Sequence, residues 1–221
     1  MDDRECKVAG TARFIARCLL IASQEPRYAA LCPAGVGERC RRLLAAAGYQ
    51  TFVRTAGNRC FRCVFRAAVD FLLPGIIAHY LARKRCLEDW IRNAPCRQVV
   101  VLAAGLDTLA WRLAEELPDV RFIEVDRPAT LRVKTLALSQ ETPPNLTFLA
   151  ADLACESPTR ILEQDPAFVP SAPTLFVLEG LSMYLPPARV RSLLAEIVAS
   201  DGGRVLAFAF MERRADGRIK F

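Results

Sequence analysis

Ten residues, VVVLAAGLDT from Val99 to Thr108, constrain this chain more than any others. Three valines and a leucine in a row suit a strand buried on both faces, Ala103, Ala104 and Gly105 suit a tight turn, and Asp107 and Thr108 open a helix. In an open α/β sheet, a strand, tight turn and helix N-terminus form the usual seat for a nucleotide-bearing molecule. The turn lacks the three glycines of the dinucleotide pattern G-x-G-x-x-G. Asp107 sets a carboxylate at the helix mouth, where it repels phosphate and tolerates a cation. The segment therefore disfavours a dinucleotide and suits a nucleoside that carries positive charge and no phosphate.

The rest of the chain supplies a sheet for that strand. Short β-rich runs at Val99 to Leu102, Val120 to Val125, Leu146 to Leu149, Thr174 to Leu178 and Arg204 to Phe210 alternate with helical segments at Thr108 to Glu116, Pro128 to Ser139, Pro158 to Gln164 and Pro187 to Ala199. Such alternation predicts a parallel sheet with right-handed crossovers. Before Arg97 the apolar spacing is helical, over Thr11 to Ser23, Gly35 to Ala47 and Cys63 to Ile91, with a break expected near Pro74 and Gly75. At 221 residues the chain suits one core. Residues 1–96 are expected to form a helical extension supplying a lid and the acceptor side, and residues 97–221 the ligand-binding α/β core.

Composition removes other classes. The start, MDDRECKV, leads into no apolar run with signal-peptide features, so a cytoplasmic location is expected. The most membrane-like stretch, Ala67 to Ala82, is interrupted by Asp70, Pro74 and His79, so no membrane association is expected. Nine cysteines in a chain of this size without a signal read as reduced thiols. Cys60 and Cys63 form one C-x-x-C with no second pair at zinc spacing, and His79 is the only histidine, so no metal is expected. Residues 1–97 carry 17 Lys or Arg against 8 Asp or Glu. An Ala- and Arg-rich composition accounts for this, and with no interleaved aromatic signature nucleic acid is not an expected partner.

Ligands in such sheets lie beyond the carboxyl ends of the strands, where this sequence places acids repeatedly. Asp126 follows the second strand, about 20 residues beyond Gly105, the distance at which a carboxylate grips ribose hydroxyls. Asp152 follows the third strand, beside Leu153 as an apolar flank for a ring, and Glu179 follows the fourth. Each alone reads as a solvated residue or a helix cap. Three at successive strand ends around a small-residue turn point to a ligand, and S-adenosylmethionine, with a sulfonium, an ammonium and no phosphate, suits them.

The segments ARKRCLEDW, QVVVLAAGLDTLAWRL, RFIEVDRPATLRVK, ADL and LFVLEGLSMYLP resemble the leucine carboxyl methyltransferase family, which includes bacterial polyketide-type O-methyltransferases, from about Tyr80 to Phe210. The resemblance implies an α/β fold of the class I methyltransferase (Rossmann-like) type with S-adenosyl-L-methionine as cofactor. It implies Arg83 on the cofactor's methionine carboxylate, the turn of Ala103 and Gly105 beneath its backbone, Asp126 on the ribose, Asp152 and Leu153 around the adenine, and Glu179 on the ammonium. Ala103 stands where the family carries the first glycine of G-A-G, and Leu19 where it carries an arginine in the first helix. The chain stops at MERRADGRIKF, so the core is expected to lack the family's final strands, leaving Val205 to Phe210 as an apolar edge and an expected site of self-association.

The implied reaction is methyl transfer to an oxygen, a carboxylate or hydroxyl, of a small or medium-sized acceptor. Such an in-line displacement needs positioning more than a nucleophilic residue, and no catalytic residue is assigned. His79, four residues before Arg83, is the candidate base for a hydroxyl acceptor. Met183 and Tyr184 are candidates to line the transfer pocket, and Trp111 and Arg112 read as packing and surface residues of the first crossover helix. The alternative is a catalytically weak or inactive cofactor-binding scaffold, suggested by Ala103 and the early stop.

Overall fold

A computed structural model of the protein describes residues 8–199, 203–209, 212–213 and 219–220. Helices come first: α1 (Gly10–Ala22), α2 (Val36–Ala46), α3 (Gln50–Ala56), α4 (Arg59–Leu72) and α5 (Ile76–Asn93). They are followed by β1 (Gln98–Leu102), α6 (Leu109–Glu116), β2 (Arg121–Asp126), α7 (Pro128–Leu138), β3 (Leu146–Ala150), α8 (Pro158–Leu162), β4 (Thr174–Leu178), α9 (Pro187–Val198) and β5 (Arg204–Phe208). Two short strands, β6 (Glu212–Arg213) and β7 (Ile219–Lys220), pair antiparallel with each other. The expected α/β alternation is present, with the five main strands parallel in the order β3-β2-β1-β4-β5. Phe210, the end of the expected fifth strand, lies outside the described residues.

This order follows from the strands' composition. β1 is buried along its whole length, as a central parallel strand must be, and its residues alternate between two cores. Val99 and Val101 pack with Phe122, Leu175 and Val177 under α6, whereas Val100 and Leu102 pack with Ile123, Phe176 and Leu178 under α8 and α9. β2 and β4 both pair with β1, and the chain reverses its direction of winding between β3 and β4. The carboxyl ends of β1 and β4 therefore flank the switch point, where the sheet opens to a ligand.

The helical extension has a core of its own. Ala16 and Cys18 to Ala22 of α1 pack against Cys40, Leu43 and Leu44 of α2 and Ile77, Tyr80 and Leu81 of α5, with Leu106 of the β1–α6 turn in the same cluster. Among the bonds that attach it to the sheet, Arg42 donates to the carbonyls of Ala137 at 2.9 Å and Leu138 at 3.2 Å, satisfying the C-terminal end of α7. The expected break at Pro74 and Gly75 separates α4 from α5; Gly75, at φ +77°, takes the left-handed turn that starts α5. α5 is then fixed to α6 by Glu88, which pairs with a buried Arg112. Arg112 also donates to Thr108 Oγ1 at 3.0 Å, so the expectation of a surface role for it is corrected: a guanidinium with two partners is satisfied in the interior.

Candidate active site

The turn after β1 is held by main-chain bonds. The Ala103 N–H donates to the Val125 carbonyl at 2.8 Å, and both Ala103 (φ +54°) and Gly105 (φ +55°) adopt left-handed backbone. Glycine takes that conformation freely, whereas alanine pays for its Cβ. The Gly105 N–H donates to Asp126 Oδ2 at 2.6 Å, and Asp126 Oδ1 accepts the Arg127 N–H at 2.7 Å. The acid after β2 is thus fixed against the turn after β1. A Cβ on Gly105 would lie 3.2 Å from the Cβ of Ala12, so the start of α1 passes directly over the turn. Thr11 Oγ1 and the Tyr184 hydroxyl, 2.6 Å apart, tie the same end of α1 to the segment after Glu179.

Charge gathers on the β4 side. Lys84, on α5 and 4% exposed, donates to Asp107 Oδ2 at 2.5 Å and to both oxygens of Glu179 at 2.9 Å. Asp107 Oδ1 accepts the Leu109 N–H at 3.1 Å, so the carboxylate at the helix mouth serves the first turn of α6 and an ammonium together. The cation expected at that mouth is supplied by the chain itself. Arg83 Nη2 lies 2.6 Å from Glu179 Oε1. Burial works against the charge of Lys84, but Asp107 and Glu179 more than offset it and raise its pKa above the ordinary lysine value. Burial likewise opposes ionisation of Asp107, and the charge and hydrogen bond of Lys84 win, with help from Lys134 and Arg112, holding it well below the usual carboxylate range. Desolvation and the nearby Arg83 charge push the imidazole of the exposed His79 down, against Glu179.

The third strand end is different. Asp152 is exposed and caps its own turn, its Oδ1 accepting from the Ala154 N–H at 2.9 Å. The Leu153 side chain is buried with Ile161, Leu162 and Leu193, and its carbonyl accepts from Arg189 Nε at 2.9 Å. The structure therefore brings Arg83 and Glu179 into contact, joins Gly105 to Asp126 across the first two strand ends, and sets Asp152 and Leu153 at the third. Lys84 was not singled out from the sequence. Its only sign there was a second cation beside Arg83 in ARKRCLEDW.

These groups fit the amino-acid end of S-adenosylmethionine. Arg83 Nε is buried without a hydrogen-bond partner, leaving part of the guanidinium's donor capacity for a carboxylate. Glu179 offers an acceptor for an ammonium. Among the described residues no group of three or more His, Cys, Asp or Glu side chains is placed to hold a metal, and no helix is long and apolar enough to cross a membrane.

Known proteins similar to this chain point to its family. Residues 37–198 match the family described as leucine carboxyl methyltransferase. A protein of Mycobacterium sp. (strain JLS) named "Putative S-adenosyl-L-methionine-dependent methyltransferase" is 30% identical over 212 residues, 94% of this chain and 68% of the relative. A Mycobacterium tuberculosis (strain ATCC 25618 / H37Rv) protein with the same description is 43% identical over 130 residues, 56% of this chain and only 36% of the relative. The chain thus spans about two thirds of the first relative, and its match spans about a third of the second. Among solved structures, a Thermobifida fusca protein described as a "putative methyltransferase" superposes with a TM-score of 0.54 at 23% identity, over 76% of this chain and 64% of that one, which supports the fold. On the family match and the relative at 30% identity, the chain belongs to the leucine carboxyl methyltransferase family of S-adenosylmethionine-dependent methyltransferases.

Proposed function

We propose that the protein transfers a methyl group from S-adenosylmethionine to an oxygen, a carboxylate or a hydroxyl, of a small or medium-sized acceptor. The observation that carries this reading is the pairing of Arg83 with Glu179 at the end of β4, a cation and an anion matched to the two charges of an amino acid. Arg83 holds the carboxylate, Glu179 the ammonium, the turn of Ala103 and Gly105 lies beneath the cofactor's backbone, Asp126 takes the ribose, and Asp152 takes the adenine's amino edge with Leu153 beside it as the apolar flank. When bound, the cofactor supplies an activated methyl on a sulfonium. The chain supplies alignment and exclusion of water, which α1 serves by crossing the turn at Ala12 and reaching Tyr184. In this reading residues 1–96 are the lid and acceptor side.

The family's description names a carboxyl acceptor, which is ionised at neutral pH and needs no base. For a hydroxyl acceptor, His79, four residues before Arg83 on α5 and with its imidazole pKa pushed down, is the candidate to take the proton. The second reading, a cofactor-binding scaffold without turnover, is favoured by two observations: the left-handed Ala103 and a Glu179 already paired to two protein cations. Calorimetric titration with S-adenosylmethionine, followed by transfer of a labelled methyl to panels of carboxylic acids and phenols, separates them. Binding with transfer supports the enzyme, and binding without transfer to any acceptor supports the scaffold.

A further inference from the structure

Glu179 carries two cations, and they are unequal. Lys84 is 4% exposed, and its three N–H donors meet three oxygens: one on Asp107 and both on Glu179. Arg83 is held on Glu179 through Oε1, its side chain keeps 21% of its exposure, and its Nε is buried without a partner. One cation is enclosed and saturated, and the other is more accessible and incompletely bonded. Asp107 is itself fixed by the Leu109 N–H, so the clamp from Asp107 through Lys84 to Glu179 is anchored in the first turn of α6.

We propose that Lys84 is a positioning residue of the cofactor site: its buried ammonium ties the Glu179 carboxylate to Asp107, so that Arg83 is the cation that exchanges when an amino-acid head group arrives. Arg83 then turns to the incoming carboxylate, and Glu179, held in place by Lys84, accepts the incoming ammonium at the position Arg83 vacates. The exchange conserves charge, because a zwitterion enters between an ion pair. If Lys84 were the cation to leave, two N–H bonds to Glu179 and one to Asp107 would break at a buried ammonium, whereas release of Arg83 breaks its contact with one Glu179 oxygen and its stacking over the Tyr80 ring.

This inference rests on the reading of Arg83 and Glu179 as the amino-acid subsite, and the test separates the two. S-adenosylhomocysteine, which has the amino-acid end, and methylthioadenosine, which lacks it, are titrated calorimetrically into the wild type, Glu179→Ala, Lys84→Met, and Lys84→Met combined with Asp107→Asn. The double variant removes one positive and one negative charge together, so it stands in for the single variant if the latter fails to fold. The proposal expects Lys84→Met or the double variant to bind S-adenosylhomocysteine at least tenfold more weakly while methylthioadenosine stays within about twofold of the wild type. A general structural role would weaken both ligands alike and overturns the proposal. Unchanged binding of S-adenosylhomocysteine also overturns it, and tighter binding would make Lys84 a competitor for the ammonium's place. If Glu179→Ala leaves S-adenosylhomocysteine unaffected, the subsite reading itself fails, whatever the Lys84 variants do.

Discussion

Ala103 is the residue at which local rule and position conflict most clearly. At φ +54° it holds a conformation that costs an L-residue roughly 1–2 kcal/mol, beneath the place proposed for the cofactor. Replacing it with glycine removes that cost and returns about 0.5–1 kcal/mol as chain entropy. Ala103→Gly is expected to stabilise the fold by about 0.5–1 kcal/mol, a rise of roughly 1–4 °C in Tm for a chain of this size, and to tighten cofactor binding by clearing a methyl. A lowered Tm in thermal denaturation would show that the alanine side chain packs more favourably than its backbone is strained. The departure at this position was visible in the sequence, but its left-handed backbone was not, because nothing in AAG says which of its residues makes the turn. Lys84 was hidden for a related reason. Its three acceptors come from two separate strand ends, and only the assembled sheet brings Asp107 and Glu179 to one point.

At the scale of elements, β1 and β4 were the most legible, because their residues are apolar on both faces and bounded by turn residues. The strand expected at Thr174 to Leu178 is β4 itself, and that expected at Val99 to Leu102 lacks only Gln98. The extension was legible as helix but not in its divisions. α3 has no side-chain cap at its N-terminus and spans only Gln50–Ala56, and α4 begins at Arg59 behind an Asn58 cap, four residues before its periodicity was read. β2 and α7 are joined by a contact that patterning could not foresee: Lys134 and Glu124, 2% and 1% exposed, form an ion pair of 2.5 Å beneath the helix. Burial pushes the Glu124 carboxyl up, against the charge of Lys134. Lys134→Met is expected to cost about 3–5 kcal/mol by leaving that acid buried and unpaired, whereas Lys134→Met with Glu124→Leu is expected to cost far less. Chemical denaturation of both variants checks this. Equal losses would mean that the pair matters for its packing rather than its charge.

Across the whole molecule, the outer edge of the sheet is where the described residues leave apolar strand surface exposed. Among the described residues β5 pairs with β4 alone, and Val205 on it is 56% exposed. A parallel edge with apolar side chains recruits further strands. The protein is therefore expected to self-associate through this edge at micromolar concentrations, and Val205→Lys to reduce that association, both read by light scattering. A wild-type monomer that unfolds cooperatively would show the edge to be covered. The proposed site lies at the other functional boundary of the sheet, where the extension, the β1 turn and the end of β4 meet. The acids at successive strand ends were legible from their positions just after the strands, whereas Arg83 was suggested only by the family resemblance. The pairing of Arg83 with Glu179, on which the proposed function rests, is tested most directly by calorimetric titration of the wild type and Glu179→Ala with S-adenosylmethionine. A loss of roughly 1.5–3 kcal/mol in binding, the range for a hydrogen bond to a charged group, is the predicted result. Equal affinity in a folded Glu179→Ala variant would remove Glu179 from the cofactor site and contradict the account.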